Sequence, residues 1–188
     1  MEPTGAARPP GPVVLVEGES DAVVVRALLD ARGAAAEVVP MGGVTNLARH
    51  LDALGGPGPG VLALVDAPEV RFASGALRRH GVRADTVEEL GWHGVLVCDR
   101  DLEDVLIRAL GPDVVREELA GMAELGAFES LAQMPHWRGR PVAEQLHRFA
   151  GSGSGRKSRM AARLAGRLDP DDLPDPLGGL VEAVLART

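Results

Sequence analysis

Acidic residues recur at the points where buried strands of this sequence are predicted to end. Three short apolar runs finish in a carboxylate: the first at Glu17, the third at Asp66 and the fourth at Asp99. Asp21 follows Glu17 at the start of a predicted helix. The carboxyl ends of parallel strands meet at one edge of a sheet, where ligands bind. We therefore expect these side chains to converge.

The segment after the fourth run adds Asp101, Glu103 and Asp104 to the same edge. Two carboxylates about 4 Å apart repel each other by on the order of 4 kcal/mol at an effective dielectric near 20. Hard divalent cations bound by oxygen ligands offset such repulsion, and Mg²⁺ also accepts phosphate oxygens. The pattern predicts a Mg²⁺ site, which Mn²⁺ could also occupy.

Most of these acids also have a structural interpretation. Asp101 is well placed to cap the helix that starts at Leu102, with Asp104 in the reciprocal position of a capping box. Asp21 could cap the first helix or complement its dipole. Glu17 has no such role because it ends a buried strand. The joint pattern therefore favours a metal site.

Strands alternate with helices along the first 111 residues. The predicted strands span residues 12–16, 37–41, 61–65 and 94–98, and the predicted helices span residues 20–33, 47–54, 72–80 and 102–110. Because the strands are almost wholly apolar, they indicate a mainly parallel sheet covered by helices on both faces, an α/β fold. Pro40 cannot donate to a ladder, so the second strand is expected near an edge.

The chain is long enough for one domain with an appendage. We predict a disordered tail at residues 1–12, an α/β core at residues 13–111 and a helical extension at residues 112–188 that packs on the core. Breaks are expected at residues 137–141 and 151–155, with a last helix around residues 177–186.

Positive charge is concentrated in the extension, although the net charge of the chain is −7. Residues 135–167 hold eight cations and one acid, Glu144. Such asymmetry predicts a nucleic-acid-binding surface, and its candidate residues are Arg138, Arg140, Arg148, Arg156, Lys157 and Arg159. The alternative is a solvated helix face. Trp137, between the arginines, could stack on a base or anchor the appendage.

Composition excludes several classes of site. The chain has no tyrosine, which rules out a topoisomerase that works through phosphotyrosine. The single cysteine, Cys98, cannot form an internal disulfide or a cysteine-based zinc site. The histidines are scattered without ligand spacing, which indicates surface residues: His50, His80, His93, His136 and His147.

No leader and no membrane segment are predicted. A membrane helix needs about 20 apolar residues, and no run approaches that length, so we expect a cytoplasmic protein without a membrane partner. Residues 151–158 (GSGSGRKS) approach a phosphate-binding loop but have Arg156 where the last glycine belongs. A helix rather than a strand precedes them, so we predict no ATP site.

Four motifs resemble one known family. Residues 15–29 (LVEGESDAVVVRALL) resemble the glutamate motif of TOPRIM domains, in the form found in overcoming-lysogenization-defect (OLD) family nucleases, and residues 62–66 (LALVD) resemble their third-strand motif. Residues 101–111 and 137–157 are similar to small stand-alone proteins described as TOPRIM nucleotidyl transferase/hydrolase domains. The similarity covers nearly the whole chain beyond the first dozen residues.

The resemblance implies a two-metal site in a TOPRIM (Rossmann-like) four-stranded sheet. Glu17 and Asp21 match the family's first metal-binding pair, Asp66 its third-strand acid, Glu103 its later glutamate, and Lys157 its basic residue. The family's Asp-x-Asp here reads Asp66-Ala67-Pro68, so the second acid is missing. Glu69 and Asp101 are the candidates to replace it, and weak binding of the second metal is the alternative.

Lys157 is the only lysine in the chain. A compact ammonium at this position could contact a phosphate or transfer a proton. We expect Glu17 and Lys157 to be catalytic in Mg²⁺-dependent cleavage of nucleic acid, DNA rather than RNA, with nucleotidyl transfer as the weaker option. The alternative is a binding or regulatory module that acts beside an ATPase partner.

Overall fold

The structure is a computed structural model that describes residues 11–153 and 155–187. The predicted tail at residues 1–12 therefore lies mostly outside the described residues. Within the described ranges, no helix combines the length and the apolar character needed to cross a membrane.

Four parallel strands form one sheet with the order β2-β1-β3-β4. They are β1 (Val13–Val16), β2 (Glu37–Pro40), β3 (Val61–Asp66) and β4 (Val95–Cys98). The predicted parallel α/β sheet is confirmed, and β2 lies at an edge, as Pro40 indicated. Asp66 and Cys98 are partners in register, so β3 and β4 end side by side.

Helices cover both faces of the sheet. They are α1 (Glu19–Ala31), α2 (Leu47–Ala53), α3 (Val70–Arg79), α4 (Val87–Trp92), α5 (Leu102–Gly121), α6 (Leu125–Ala132), α7 (Val142–Ala150), α8 (Arg156–Ala165) and α9 (Leu177–Leu185). Alternate strand residues point to opposite sides. Val14 and Leu62 pack with α1 and α5–α9, whereas Leu15 and Ala63 pack with α2–α4.

Helix α4 was not predicted, although its start carries a recognisable signal. The Thr86 hydroxyl accepts a hydrogen bond from the Glu89 N–H, and the Glu89 carboxylate accepts one from the Thr86 N–H. This reciprocal capping box satisfies two amides that the first turn of a helix leaves without partners. Val87 and Trp92 of α4 are exposed. The helix is short and has little apolar periodicity, so the pattern of buried positions alone did not reveal it.

Helix α5 runs past its predicted end at Gly111. Gly111 has φ 77° and ψ 159°, a conformation outside the helical region that glycine adopts readily, and Pro112 then starts the second segment. The result is a kinked continuation rather than a loop. Val115 and Leu119 of the second segment are fully buried in the same cluster as Val14 of β1.

The C-terminal helices pack directly on the sheet-flanking helices. Helix α8 lies against α1 and α5, and α7 lies against α5. Met160 and Leu164 of α8 are buried in one cluster with Val24 and Leu28 of α1. Because α1 starts just after Glu17 and α8 starts at Arg156, this packing brings the two predicted parts of the site together.

Candidate functional site

The turn between β1 and α1 positions the first two acids. Glu17 follows β1 directly and is half-buried, and Asp21 lies in the first turn of α1 with 8% of its surface exposed. An Asp21 Oδ2 atom accepts a hydrogen bond from the Gly18 N–H at 2.8 Å. Burial raises the pKa of Asp21, and the charge of Glu17 adds to this, while the Gly18 N–H and Lys157 oppose it. Asp21 thus caps the helix and also belongs to the acidic edge.

The end of β3 contributes Asp66, whose pKa is raised to about 7. Burial is the largest cause, and the charges of Asp21, Asp101 and Glu17 add to it. These effects act over short distances, so they identify the acids as neighbours. Of the acids expected at this edge, Glu17, Asp21 and Asp101 thus lie near Asp66, whereas Asp99, the acid that follows β4, is exposed and lies 3.6 Å from the Arg108 guanidinium instead.

Glu69 joins the same group from the short 3₁₀ turn Ala67–Glu69 that follows β3. Its pKa is also raised to about 7, first by burial and then by a hydrogen bond to the Glu17 carboxyl. A neighbouring carboxylate and a buried environment both favour the neutral form of Glu69. Of the two candidates to replace the acid missing at Pro68, Glu69 lies on the adjoining turn and contacts Glu17.

Asp101 and Glu103 enter from the start of α5. Asp101 caps the helix, since its Oδ1 atom accepts the Asp104 N–H at 2.9 Å. Glu103 is only 7% exposed, and burial raises the pKa of its carboxyl. The other two acids of this segment point elsewhere. Asp104 pairs with Arg108 at 2.6 Å, and Asp99 lies exposed at 3.6 Å from the same guanidinium.

Helix α8 contributes a positively charged side chain, Lys157, to the site. The Lys157 Nζ atom lies 3.1 Å from Oε2 of Glu103. Burial disfavours the charged form of Lys157, but attraction to Glu103, Asp21 and Asp66 outweighs it and raises the pKa of the ammonium. Lys157 therefore remains a protonated donor at neutral pH and is not a proton acceptor.

Arg156 corrects one sequence prediction. It was expected on the nucleic-acid-binding surface, but its side chain is only 18% exposed. Its guanidinium donates to the Ser152 carbonyl and to Glu124, and it lies 3.9 Å above the Phe149 ring centroid. Arg156 fastens the loop before α8 to the protein, so it positions the neighbouring Lys157 and does not face solvent.

Arg159 is also tied to Glu124, at 2.6 Å, but its side chain is 61% exposed. Further along α8, Arg163 and Arg167 reach Glu118 of α5 at 3.2 Å and 2.6 Å. Part of the charge of residues 135–167 is thus neutralised by α5, which fits the alternative of a solvated helix face for Arg163 and Arg167.

The other predicted nucleic-acid contacts lie before and on α7. Arg138 donates to the Gln133 carbonyl at 3.1 Å and is otherwise exposed. Arg140 lies 5.2 Å from the Trp137 ring centroid and 3.6 Å from Glu144. Arg148 is exposed on α7. These three guanidinium groups form the part of the basic segment that faces away from the hydrophobic core.

His147 is a member of the site that the sequence did not reveal. Its Nε2 atom lies 2.5 Å from Oδ2 of Asp101, and its side chain is 19% exposed. The interpretation of His147 as a surface residue is therefore wrong. The two residues are 46 positions apart, and only the packing of α7 on α5 brings them together. No local spacing could have indicated the contact.

Cys98 ends β4 among the acids but has no chemical role there. It is fully buried, and burial together with the charges of Asp66 and Asp21 raises the pKa of its thiol. A protonated, inaccessible thiol is neither a nucleophile nor a metal ligand.

The chemistry of the donors fits a hard divalent cation. All the acids offer oxygen, and two buried oxygens, Oε2 of Glu69 and Oε1 of Glu103, have no hydrogen-bond partner. Buried acceptors without donors are costly, and a cation would satisfy both. In these rotamers, however, no three His, Cys, Asp or Glu side chains within residues 11–153 and 155–187 are grouped to hold a metal. Glu103 contacts Lys157 and Asp101 contacts His147 instead.

Solved structures of OLD proteins share this fold. The chain is similar to the C-terminal region of the Burkholderia pseudomallei OLD protein, with a TM-score of 0.66 and 19% identity over 93% of this chain and 96% of that one. It is also similar to the C-terminal region of the Xanthomonas campestris pv. campestris OLD protein, with a TM-score of 0.60 and 23% identity over 92% of this chain and 93% of that one.

Sequence comparison adds nothing to this likeness, since no protein-family model and no curated protein matches the chain. The prediction of a TOPRIM-like fold of the OLD type is confirmed. At these identities the likeness establishes the fold, and the activity must be argued from the site itself.

Proposed function

We propose that this protein hydrolyses phosphodiester bonds of nucleic acid, DNA rather than RNA, with the help of Mg²⁺. One observation carries the proposal: the ammonium of Lys157 lies against a cluster of partly buried acids, at the sheet edge where the first and third strands of this parallel sheet end. Acids with raised pKa values beside a retained cation are typical of functional sites. A purely structural cluster would gain stability by replacing some of them with neutral residues.

The residues that would hold Mg²⁺ are Glu17, Asp21, Asp66 and Glu103, with Glu69 and Asp101 as the candidates for the position left by Pro68. The bound ion would polarise a phosphate oxygen and lower the pKa of a water molecule. Mn²⁺ suits the same oxygen ligands.

Lys157 would act on the phosphate as a fixed positive charge. Its raised pKa keeps the ammonium protonated, so it can donate a hydrogen bond where negative charge develops on the phosphate oxygens. Of the two roles considered from the sequence, phosphate contact and proton transfer, the first suits this environment better.

Glu69, which lies beside Glu17, would exchange a proton near neutral pH. The pKa of Glu69 is raised to about 7 by burial and by the neighbouring Glu17. A group with such a pKa changes its protonation state in the pH range where the reaction would run, which suits proton transfer. Glu69 must also lose its proton before its carboxylate can bind a cation.

A binding or regulatory module is the second candidate, and two observations favour it. Pro68 stands where the family's pattern has an acid, and the acids engage Lys157 and His147 instead of forming a ready ligand group. Such a module would bind nucleic acid beside an ATPase partner without turnover. We place either activity in the cytoplasm, where the single free, buried Cys98 would stay reduced.

Plasmid nicking separates the two candidates. Supercoiled DNA would be incubated with the protein in Mg²⁺, in Mn²⁺ and in EDTA, with Glu17→Ala and Lys157→Ala as site variants. Glu88→Ala and Arg83→Ala, which remove exposed charges elsewhere, are the matched controls. Nicking that requires metal and is lost only in the site variants supports hydrolysis. DNA retention in a gel shift without nicking supports the module. If the protein shows neither nicking nor DNA retention, both candidates are contradicted.

A further inference from the structure

A groove opens beside the acidic site on the side of α7. It has a volume of about 350 Å³ and is lined by Arg100, Trp137, Arg140, Glu144, His147 and Arg148. This volume lies within the range of roughly 300–1,000 Å³ that is usual for small-ligand sites. The groove is therefore large enough to receive one nucleotide.

The groove adjoins the site through His147. His147 lines it and contacts Asp101 at 2.5 Å, and Arg100 is the residue immediately before Asp101. A nucleic-acid strand with one phosphate at the acidic edge would extend its neighbouring nucleotide in this direction.

The lining has the chemistry of a nucleotide site. The lining holds three guanidinium groups and one acid, Glu144, which pairs with Arg140 at 3.6 Å; Arg100 lies 3.7 Å from Asp104, so Arg148 carries the surplus charge. The surplus positive charge suits a phosphate. Trp137 adds an aromatic ring, with the Arg140 guanidinium 5.2 Å from its centroid. Aromatic rings and guanidinium planes are the two surfaces on which unpaired bases stack.

We propose that this groove binds the nucleotide next to the scissile phosphate, with its base stacked on Trp137 and its phosphate held by Arg148 and Arg100. Stacking requires a base that is free of its partner strand, so the groove selects single-stranded or frayed nucleic acid. The assignment deepens the proposed function and rests on it for the position of the scissile phosphate.

A second groove provides an internal control. It has a volume of about 310 Å³ and is lined by Pro57, Pro59, Trp92, His93 and Arg187. It lies next to Gly60 and Gly94, which precede β3 and β4, and therefore at the opposite edge of the sheet from the acids. Trp92 is 71% exposed. The chain has two tryptophans, one in each groove.

Tryptophan fluorescence can therefore report on each groove separately. Trp92→Phe leaves Trp137 as the reporter of the proposed site, and Trp137→Phe leaves Trp92 as the control. Both proteins would be titrated in EDTA with a single-stranded thymidine oligonucleotide and with the matching duplex. EDTA removes any dependence on metal and turnover, and thermal melting would confirm that both variants are folded.

We expect saturable quenching of Trp137 by the single strand, weaker quenching by the duplex and none of Trp92. Arg148→Ala in the Trp92→Phe background should weaken binding severalfold, and Trp137→Ala should weaken it about fivefold to a hundredfold, as measured by anisotropy of a labelled oligonucleotide. Unquenched Trp137, or equal quenching of both tryptophans, would overturn the assignment. Because nicking is measured separately, loss of quenching with intact nicking refutes the groove alone, and quenching without nicking refutes only hydrolysis.

Discussion

The Lys157 ammonium lies 3.1 Å from Oε2 of Glu103, a carboxyl group that is 7% exposed. The contact joins α8 to α5 and gives a nearly buried acid its opposite charge. Lys157 itself is 46% exposed, so water screens the pair, and its contribution to stability is modest. The contact matters more for the site than for stability, because it holds the ammonium next to Asp21 and Asp66.

Replacing Lys157 with methionine should destabilise the protein in a pH-dependent way. At pH 8 the unpaired Glu103 carboxylate would cost about 1 kcal/mol in the free energy of unfolding. At pH 5 the cost should shrink, because the raised pKa of Glu103 allows protonation there. Urea unfolding at both pH values measures the difference, with Lys157→Arg as the charge-conserving control. An equal loss at pH 5 and pH 8 would contradict the assigned pairing.

Asp66 should make the metal-free protein less stable as the pH rises. Its pKa is about 7 in the folded protein and about 4 in an unfolded chain, so the folded state binds the proton more tightly. The resulting stabilisation is complete below about pH 4 and is lost as the pH rises through about 7. In EDTA, Asp66→Asn should therefore be more stable than the original protein at pH 8 by on the order of 1–2 kcal/mol.

Urea unfolding of both proteins from pH 4 to pH 8 measures the effect of Asp66. The two stabilities should approach each other at the acidic end, where Asp66 is protonated in the folded chain and becomes protonated in the unfolded chain as well. Asp113→Asn, which changes an exposed acid on α5, is the control and should show no such trend. A constant difference across this range would argue against a raised pKa.

Mg²⁺ should stabilise the protein more at pH 8 than at pH 6. Asp66 and Glu69 both have pKa values of about 7, so a cation must displace protons from them below that pH. A ligand that binds only the folded state raises the melting temperature according to its affinity. Thermal melts with and without Mg²⁺ test this, with Glu69→Gln expected to reduce the shift and Glu88→Gln to keep it. A shift that does not depend on pH would exclude these two acids as ligands.

Arg156 and Arg148 look alike in the sequence but should differ in their effect on stability. Arg156→Ala removes the bonds to Glu124 and Ser152 and the stacking on Phe149, and should cost about 2–3 kcal/mol in the free energy of unfolding. Arg148→Ala, at an exposed position, should stay within about 0.5 kcal/mol. Chemical denaturation distinguishes them, and equal losses would mean that the loop before α8 is not anchored through Arg156.

The salt dependence of DNA binding should be controlled by the arginines near α7. Neutralising Arg138, Arg140 and Arg148 together should reduce the slope of log K against log salt by about 2. Neutralising Arg163 and Arg167 should leave the slope nearly unchanged, because Glu118 and Glu117 already neutralise them. Binding titrations between low and moderate salt give the slopes. An unchanged slope in the triple variant would exclude this surface as the phosphate-binding face.

The sequence was sufficient for the fold because each strand is a short apolar run and each ends near an acid or a glycine. Those features are local, and the parallel sheet with β2 at its edge follows from them. The acidic edge could be predicted for the same reason, since the strand ends fix the position of Glu17 and Asp66 before any packing is known. The neighbouring Lys157 was found through the resemblance to a family and through its being the only lysine.

What the sequence concealed depends on packing between distant helices. Whether Arg156 faces solvent or Glu124 is decided by how α8 approaches the turn before α6, and nothing in its neighbours along the chain indicates this. The contact between His147 and Asp101 has the same origin. Gly111 signalled a helix end correctly, but the buried residues Val115 and Leu119 continue the helix beyond the kink.

Because Lys157 reaches the acids only through the packing of α8 on α1, the order in which the chain is synthesised matters for the site. The acids from Glu17 to Glu103 leave the ribosome before Lys157 is translated, so for a time the nascent chain has the negative charges of the site without their counterion. A polypeptide released before α8 would keep this imbalance permanently. Completion of translation therefore decides when the acidic edge first meets its ammonium, and premature termination would also remove Met160 and Leu164 from the core around α1.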